Sequence, residues 1–264
     1  MRRSAYLKIL LIVGLLIGQL ATITRIFPRT EVVEFSKHNS AVRSTVAYGA
    51  TAMSTEYHNL MIHDSYINGT VTLSEHTYAV FDNVTILNGT TIYVSDYAEL
   101  VIKNSRIYKA EIIIELNASV VMDNTNTEVY SLNVYLWDHA ELYFMSNGAD
   151  INIYAYNSST ISITNAFLNG SYFMLYNSSS LELTDVDIES YGRIYCYGYS
   201  MIRADTINDH DRPLYIYLNN YTTMSSTNLI ANGTTIYLRD FSGITDYGSV
   251  INIVDLKDNS NGHF

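Results

Sequence analysis

The stretch Ala98-Glu99-Leu100-Val101-Ile102-Lys103-Asn104-Ser105-Arg106-Ile107 alternates inward and outward side chains and then breaks. Leu100 and Ile102 point one way and Val101 and Lys103 the other, as the two-residue period of a half-buried strand requires. Asn104 marks the bend, where a short amide side chain can bond neighbouring backbone in place of a ladder partner. Amides stacked one above another also bond each other along the stacking axis. Ile107 then returns inward.

The same reading repeats along the chain. Its polar marker recurs as Asp64, Asn83, Asn104, Asn124, Ser146, Asn165, Asp185, Asp205, Ser226 and Asp246, at steps of 19 to 22 residues. Two positions earlier stand Ile62, Phe81, Ile102, Met122, Phe144, Ile163, Leu183, Met224 and Ile244, with one slip of register at Ile202 and Arg203. A third apolar position returns as Ile67, Ile86, Ile107, Leu168, Ile188 and Leu229. A second strand follows, in copies such as Ile92-Tyr93-Val94, Val134-Tyr135-Leu136, Ile194-Tyr195-Cys196, Leu214-Tyr215-Ile216 and Ile236-Tyr237-Leu238. Its inward residues are aliphatic and its outward residue is often tyrosine: Tyr93, Tyr135, Tyr154, Tyr195, Tyr215 and Tyr237.

A fixed period in this range identifies a solenoid whose turns bury one another. Short strands without a helical stretch predict an all-β chain, a single-stranded right-handed parallel β-helix of about ten rungs. The hand follows from the strong preference of parallel crossovers. The helix is expected over 58–256, after an N-terminal hydrophobic signal or anchor helix at 1–27 and a cap or linker at 28–57, with a polar tail at 257–264. In periodicity and in its Asn/Asp ladder, 58–256 resembles the right-handed parallel β-helix (pectin-lyase-like) superfamily. That resemblance implies carbohydrate lyase or hydrolase chemistry, carried by clustered acids and a basic residue in a groove walled by long loops. In this chain no rung carries an insertion longer than two residues, so the concave site that such chemistry uses is not expected.

Charge divides the chain. Residues 1–44 hold seven Lys/Arg against two Asp/Glu, whereas 45–264 hold eight against 24. An acidic body repels phosphate backbones, which argues against nucleic acid as a partner. Arg2, Arg3 and Lys8 precede the apolar run Ile9–Ile23, the pattern of a secretory signal or an uncleaved anchor. Either places the body outside the cell, secreted or held at the membrane. Export gives meaning to nine Asn-x-Ser/Thr sequons. Asn68, Asn88, Asn169 and Asn232 read Asn-Gly-Thr/Ser at one corner, Asn117, Asn157 and Asn177 fall at another, and Asn220 completes the expected glycosylation set. Asn83 lies on the polar ladder and is expected to be the least modified. Asn-Gly is equally good turn chemistry, since both residues tolerate positive φ.

Candidate chemistry is sparse. Asp209, His210, Asp211 and Arg212 combine acid, base and clamp, yet they also form an ordinary charged turn ended by Pro213. Calcium at Asp205, Asp209 and Asp211 is the one cofactor reading, and calcium wants six or more oxygens converging. Cys196 alternates inward and reads as a buried, inert thiol. The tyrosine column either binds sugar or protein, as rings with polar tips do, or packs on itself and stiffens the coil. These features favour a non-enzymatic, glycosylated surface element with structural, adhesive or self-assembling use. A polysaccharide-binding or polysaccharide-degrading β-helix is the alternative.

Overall fold

The computed structural model describes residues 40–42, 47–48, 51–52, 58–123, 126–208, 213–248, 250–257 and 260–263. All belong to one compact unit, Val32–Phe264. The expected signal or anchor at 1–27, most of the 28–57 cap and the cluster Asp209, His210, Asp211 and Arg212 lie outside the described residues.

One rung shows how the sequence makes the coil. Strand Glu99–Lys103 ends at Asn104, whose φ of 50° turns the chain into the short strand Arg106–Ile107. A corner at Lys109, with φ of 42°, leads into strand Ala110–Ile114. A β-turn then closes the rung, the Ala118 N–H donating to the Glu115 carbonyl at 3.3 Å. The next strand, Ser119–Asp123, lies parallel on the first, with Leu100 beside Val120 and Ile102 beside Met122. Repetition gives a parallel β-solenoid of about nine turns, the architecture of the parallel β-helices, with no helix among the described residues.

Alternation accounts for the core. Leu100, Ile102, Ile107, Ile112 and Ile114 are fully buried, and one continuous apolar cluster extends from Leu60 to Ile244. At roughly 25 cal/mol per Å² of buried apolar surface, this interior is the main stabilising term, and it can be filled only by stacking turns.

Strand pairing corrects the sequence register at several points. The inward column Ile62, Phe81, Ile102, Met122, Phe144, Ile163, Leu183 continues through Ala204, Ser226 and Asp246. Met224 and Ile244 instead extend the neighbouring inward column of Leu181 and Ile202. Ser226 and Asp246 are therefore core residues, not ladder residues, and the Ser226 hydroxyl donates to the Asp246 carboxylate. Ser146 is also buried, its hydroxyl donating to the Thr127 carbonyl at 2.8 Å. In the fourth rung, the amide that continues the ladder belongs to Asn126, which donates to Asn104 Oδ1 at 3.4 Å; the side chain of Asn124 lies outside the described residues. Leu229 falls in the column of Val186 and Ile207 rather than that of Ile188, because Asn208 pairs with Ile230.

The ladder proper is defined by backbone. Asp64, Asn83, Asn104, Asn165, Asp185, Thr206 and Asn228 all adopt φ between 50° and 55°. Short polar side chains enter this left-handed region at little cost, which explains the recurring Asn and Asp. Asn83 Nδ2 donates to Asp64 Oδ1 at 2.6 Å, and Asn104 Nδ2 to Asp82 Oδ1 at 2.9 Å.

A second ladder occupies the closing β-turns, where Asp96, Asp138, Asn157, Asn177, Asn220 and Asp240 have φ between 57° and 64°. Asn157 donates to Asp138 at 2.8 Å and Asn177 to Asn157 at 3.0 Å. Gly198 holds the equivalent place with φ of 80°, and a Cβ there would lie 2.9 Å from the Asn177 Cα. Gly198→Ala is expected to lower stability by about 1–3 kcal/mol, read as a drop in thermal midpoint. An unchanged midpoint would show that this turn relaxes without cost.

Candidate functional site

The feature that stands out from the coil is an aromatic face on the strands that precede each closing turn. Two outward columns carry it. Tyr135, Tyr154, Met174, Tyr195, Tyr217 and Tyr237 occupy successive positions of the first. Trp137, Tyr156, Tyr176 and Tyr197 stand two residues further on, each one residue past its strand.

In-register parallel pairing forces the rings together, because the strand spacing of roughly 4.8 Å matches a comfortable ring separation. Trp137 and Tyr156 stack at 4.0 Å between centroids, Tyr156 and Tyr176 at 5.0 Å, and Tyr176 and Tyr197 at 5.2 Å. In the first column Tyr135 and Tyr154 stack at 5.0 Å, and Tyr195, Tyr217 and Tyr237 at 4.6 Å. Met174 interrupts this column, and Tyr172 leans across from the adjacent one, tilted by 53° against Tyr154 and 49° against Tyr195.

Of the six tyrosines selected from sequence, Tyr135, Tyr154, Tyr195 and Tyr237 stand in the stacked column. Tyr93 lies on the same line but is separated from Tyr135 by Ile113. Tyr215 is displaced into the adjacent column, beside Arg193, and Tyr217 takes the place assigned to it. Sequence reasoning misaligned this copy by two residues because Leu214-Tyr215-Ile216 and Ile216-Tyr217-Leu218 have the same alternation. It also missed the Trp137 column, which has no apolar residue following it to mark a strand.

Ring faces in these stacks cover one another, so the outward surface presents ring edges and hydroxyls. Sugar recognition by aromatic side chains uses ring faces, and here only the rings that end a stack have one free. The phenols of Tyr135, Tyr156, Tyr172, Tyr176, Tyr197 and Tyr217 are all raised above the ordinary tyrosine range, chiefly by burial and then by neighbouring charges and phenols. These six phenols therefore stay neutral further into alkali than an ordinary tyrosine. A folded pKa above the unfolded one favours the native state fully below about pH 10, and this contribution is lost as pH rises through the folded values. Spectrophotometric titration of the folded protein should show a class of phenols ionising later than the same phenols in denaturant. Coincident curves would contradict the raised values.

The other selected residues are dispersed. Asn88, Asn117, Asn157, Asn169, Asn177 and Asn220 are exposed, Asn68 is half-buried, and the side chain of Asn232 lies outside the described residues. Asn83 is exposed, with its amide nitrogen bonded to Asp64. Asp205 is exposed, and its prospective calcium partners Asp209 and Asp211 are not described. No group of three His, Cys, Asp or Glu among the described residues is arranged to hold a metal. No helix among them is long and apolar enough to cross a membrane. Cys196 is fully buried, and burial pushes its thiol up to about 12, so it is protonated at neutral pH.

Fold and site together define a parallel β-solenoid bearing amide ladders at two corners and an aromatic comb on one face. No family model, curated protein or solved structure matches the chain.

Proposed function

We propose that the protein is an exported, N-glycosylated surface element whose work is structural or adhesive rather than catalytic. The observation that carries this reading is the continuity of the ladders. Asn83–Asp64, Asn157–Asp138, Asn177–Asn157 and the Trp137-to-Tyr197 stack each tie one turn to the next without an interrupting loop. Such ties resist separation of turns along the axis, as suits a displayed coil. The basic and apolar N-terminus and the sequons support export.

The test is expression of the full chain in a host with N-glycosylation, followed by peptide mass spectrometry. Asn88 and Asn169 are exposed at Asn-Gly corners and should carry glycans, whereas Asn83 should be nearly bare. Asn157 and Asn177 stand on adjacent turns, so one chain should not carry sugars on both. A chain retained in the cytosol without glycans would overturn the reading. Turnover of a polysaccharide that is abolished by Asp209→Ala, Asp211→Ala or Arg212→Ala would replace it with the enzymatic alternative.

A further inference from the structure

The aromatic face has a direction. Glu111 and Glu115, both exposed, stand on the rung before Tyr135. Arg239, also exposed, stands on the rung of Tyr237 at the other end, two residues past that ring as Glu115 is two past Ile113. Arg193, exposed, lies between them on the rung of Tyr195. The three rungs between Ile113 and Tyr195 present Asn133, Tyr135 and Trp137, then Asn152, Tyr154 and Tyr156, then Tyr172, Met174 and Tyr176, with no charge among them. These charges act on the face itself. Burial and then the Glu111 carboxylate push the Tyr135 phenol up, whereas Arg193 and Arg239 pull against burial at Tyr217 and Tyr197.

We propose that two copies of this chain dock these faces together in antiparallel orientation, the acidic end of each over the arginine end of the other. A two-fold interface must complement itself. Parallel docking would set Glu111 and Glu115 against their own counterparts, and like charges facing one another disfavour that arrangement. Antiparallel docking about Met174 sets Glu115 of each copy against Arg239 of the other, places Arg193 over the polar Asn152 rung and brings the rings around Met174 together.

The shape fits as well. The two-fold sets each ring column over its own counterpart, and the roughly 10 Å between packed sheets accommodates outward side chains from both copies. From Glu111 to Arg239 the face is roughly 29 Å long and about 20 Å wide, so a pair of copies would bury on the order of 1,000 Å², the lower bound for a specific interface. Tyrosine is suited to such a surface, because its ring is apolar and its hydroxyl finds a partner at the rim. Docking also leaves no room for sugar at Asn157 or Asn177, whose turns adjoin Tyr156 and Tyr176. This inference goes beyond the exported reading and does not depend on it.

The test is disulfide capture in the full-length chain. Met174 stands near the middle of the face, where the two-fold brings it close to its own copy, and the native thiol of Cys196 is buried. With oxidised glutathione, two Met174→Cys thiols lose their protons and join as a disulfide while glutathione is reduced to its thiol. Met174→Cys should run mostly as a linked dimer on a non-reducing gel, and Thr72→Cys, outside the face, should not. Glu115→Arg should lower the yield of linked dimer about tenfold, and adding Arg239→Glu should restore it. The inference is overturned if Met174→Cys stays unlinked while its thiol reacts freely with an alkylating agent. It is equally overturned if the charge reversal changes nothing. Capture is read on chain made without glycans, so failure of the exported reading leaves this result standing, and the reverse also holds.

Discussion

Phe144→Ala is expected to lower the free energy of unfolding by about 3–5 kcal/mol, the largest effect of any single truncation considered for this coil. Phe144 is fully buried and stacks inward between Met122 and Ile163. Removing its ring leaves a cavity that a backbone held by parallel pairing above and below cannot close, so cavity and transfer terms add. The effect should also be distributed unusually. Each turn of a solenoid contacts only its neighbours, so a weakened middle turn uncouples the two sides. Denaturant unfolding followed by far-ultraviolet dichroism should show a lower midpoint and a shallower transition. A shift below about 1 kcal/mol would mean that the turns repack, contrary to the close fit of the interior.

Tyr156→Ala comes second, with an expected loss of about 1–3 kcal/mol despite the half-exposed position of the ring. Tyr156 stacks on Trp137 at 4.0 Å and on Tyr176 at 5.0 Å, so its removal breaks two ring contacts at once. Stacked aromatic pairs contribute about 0.5–1.5 kcal/mol each beyond the area they bury. A double-mutant cycle with Trp137→Ala isolates the shared contact, and the coupling energy should fall in that range. A coupling near zero would show that the rings only lie beside each other, and the comb would lose its stiffening role.

Much of this architecture is legible from residues. In Glu99–Lys103 the alternation of Leu100 and Ile102 with Val101 and Lys103 identifies strand and inward face, and repetition at 19 to 22 residues identifies the coil. Both depend on short-range rules, the two-residue pleat and the tolerance of Asn and Asp for positive φ, and such rules are written in every copy. Register is less legible. The polar markers Asp205, Ser226 and Asp246 keep the period, yet the left-handed positions are Thr206, Asn228 and Gly248. Ser226 and Asp246 turn inward in a column that is otherwise apolar, where no pattern of alternation announces them. Likewise, a one-copy shift of two residues leaves inward and outward faces unchanged, so Tyr215 and Tyr217 cannot be told apart by periodicity.

The amino-acid sequence by itself determined the β-solenoid class, the inward and outward faces and the recurring Asn and Asp corners, because each follows from residues close together in the chain. Only the tertiary structure decided which tyrosines stack, that Trp137, Tyr156, Tyr176 and Tyr197 make a second column, and that Glu111 and Glu115 stand at one end of that face and Arg239 at the other. Each stack joins residues about twenty positions apart, and the order of charges along the face accumulates from such steps. Both are set by hydrogen-bonded register between turns, which a shift of two residues alters without changing any local pattern.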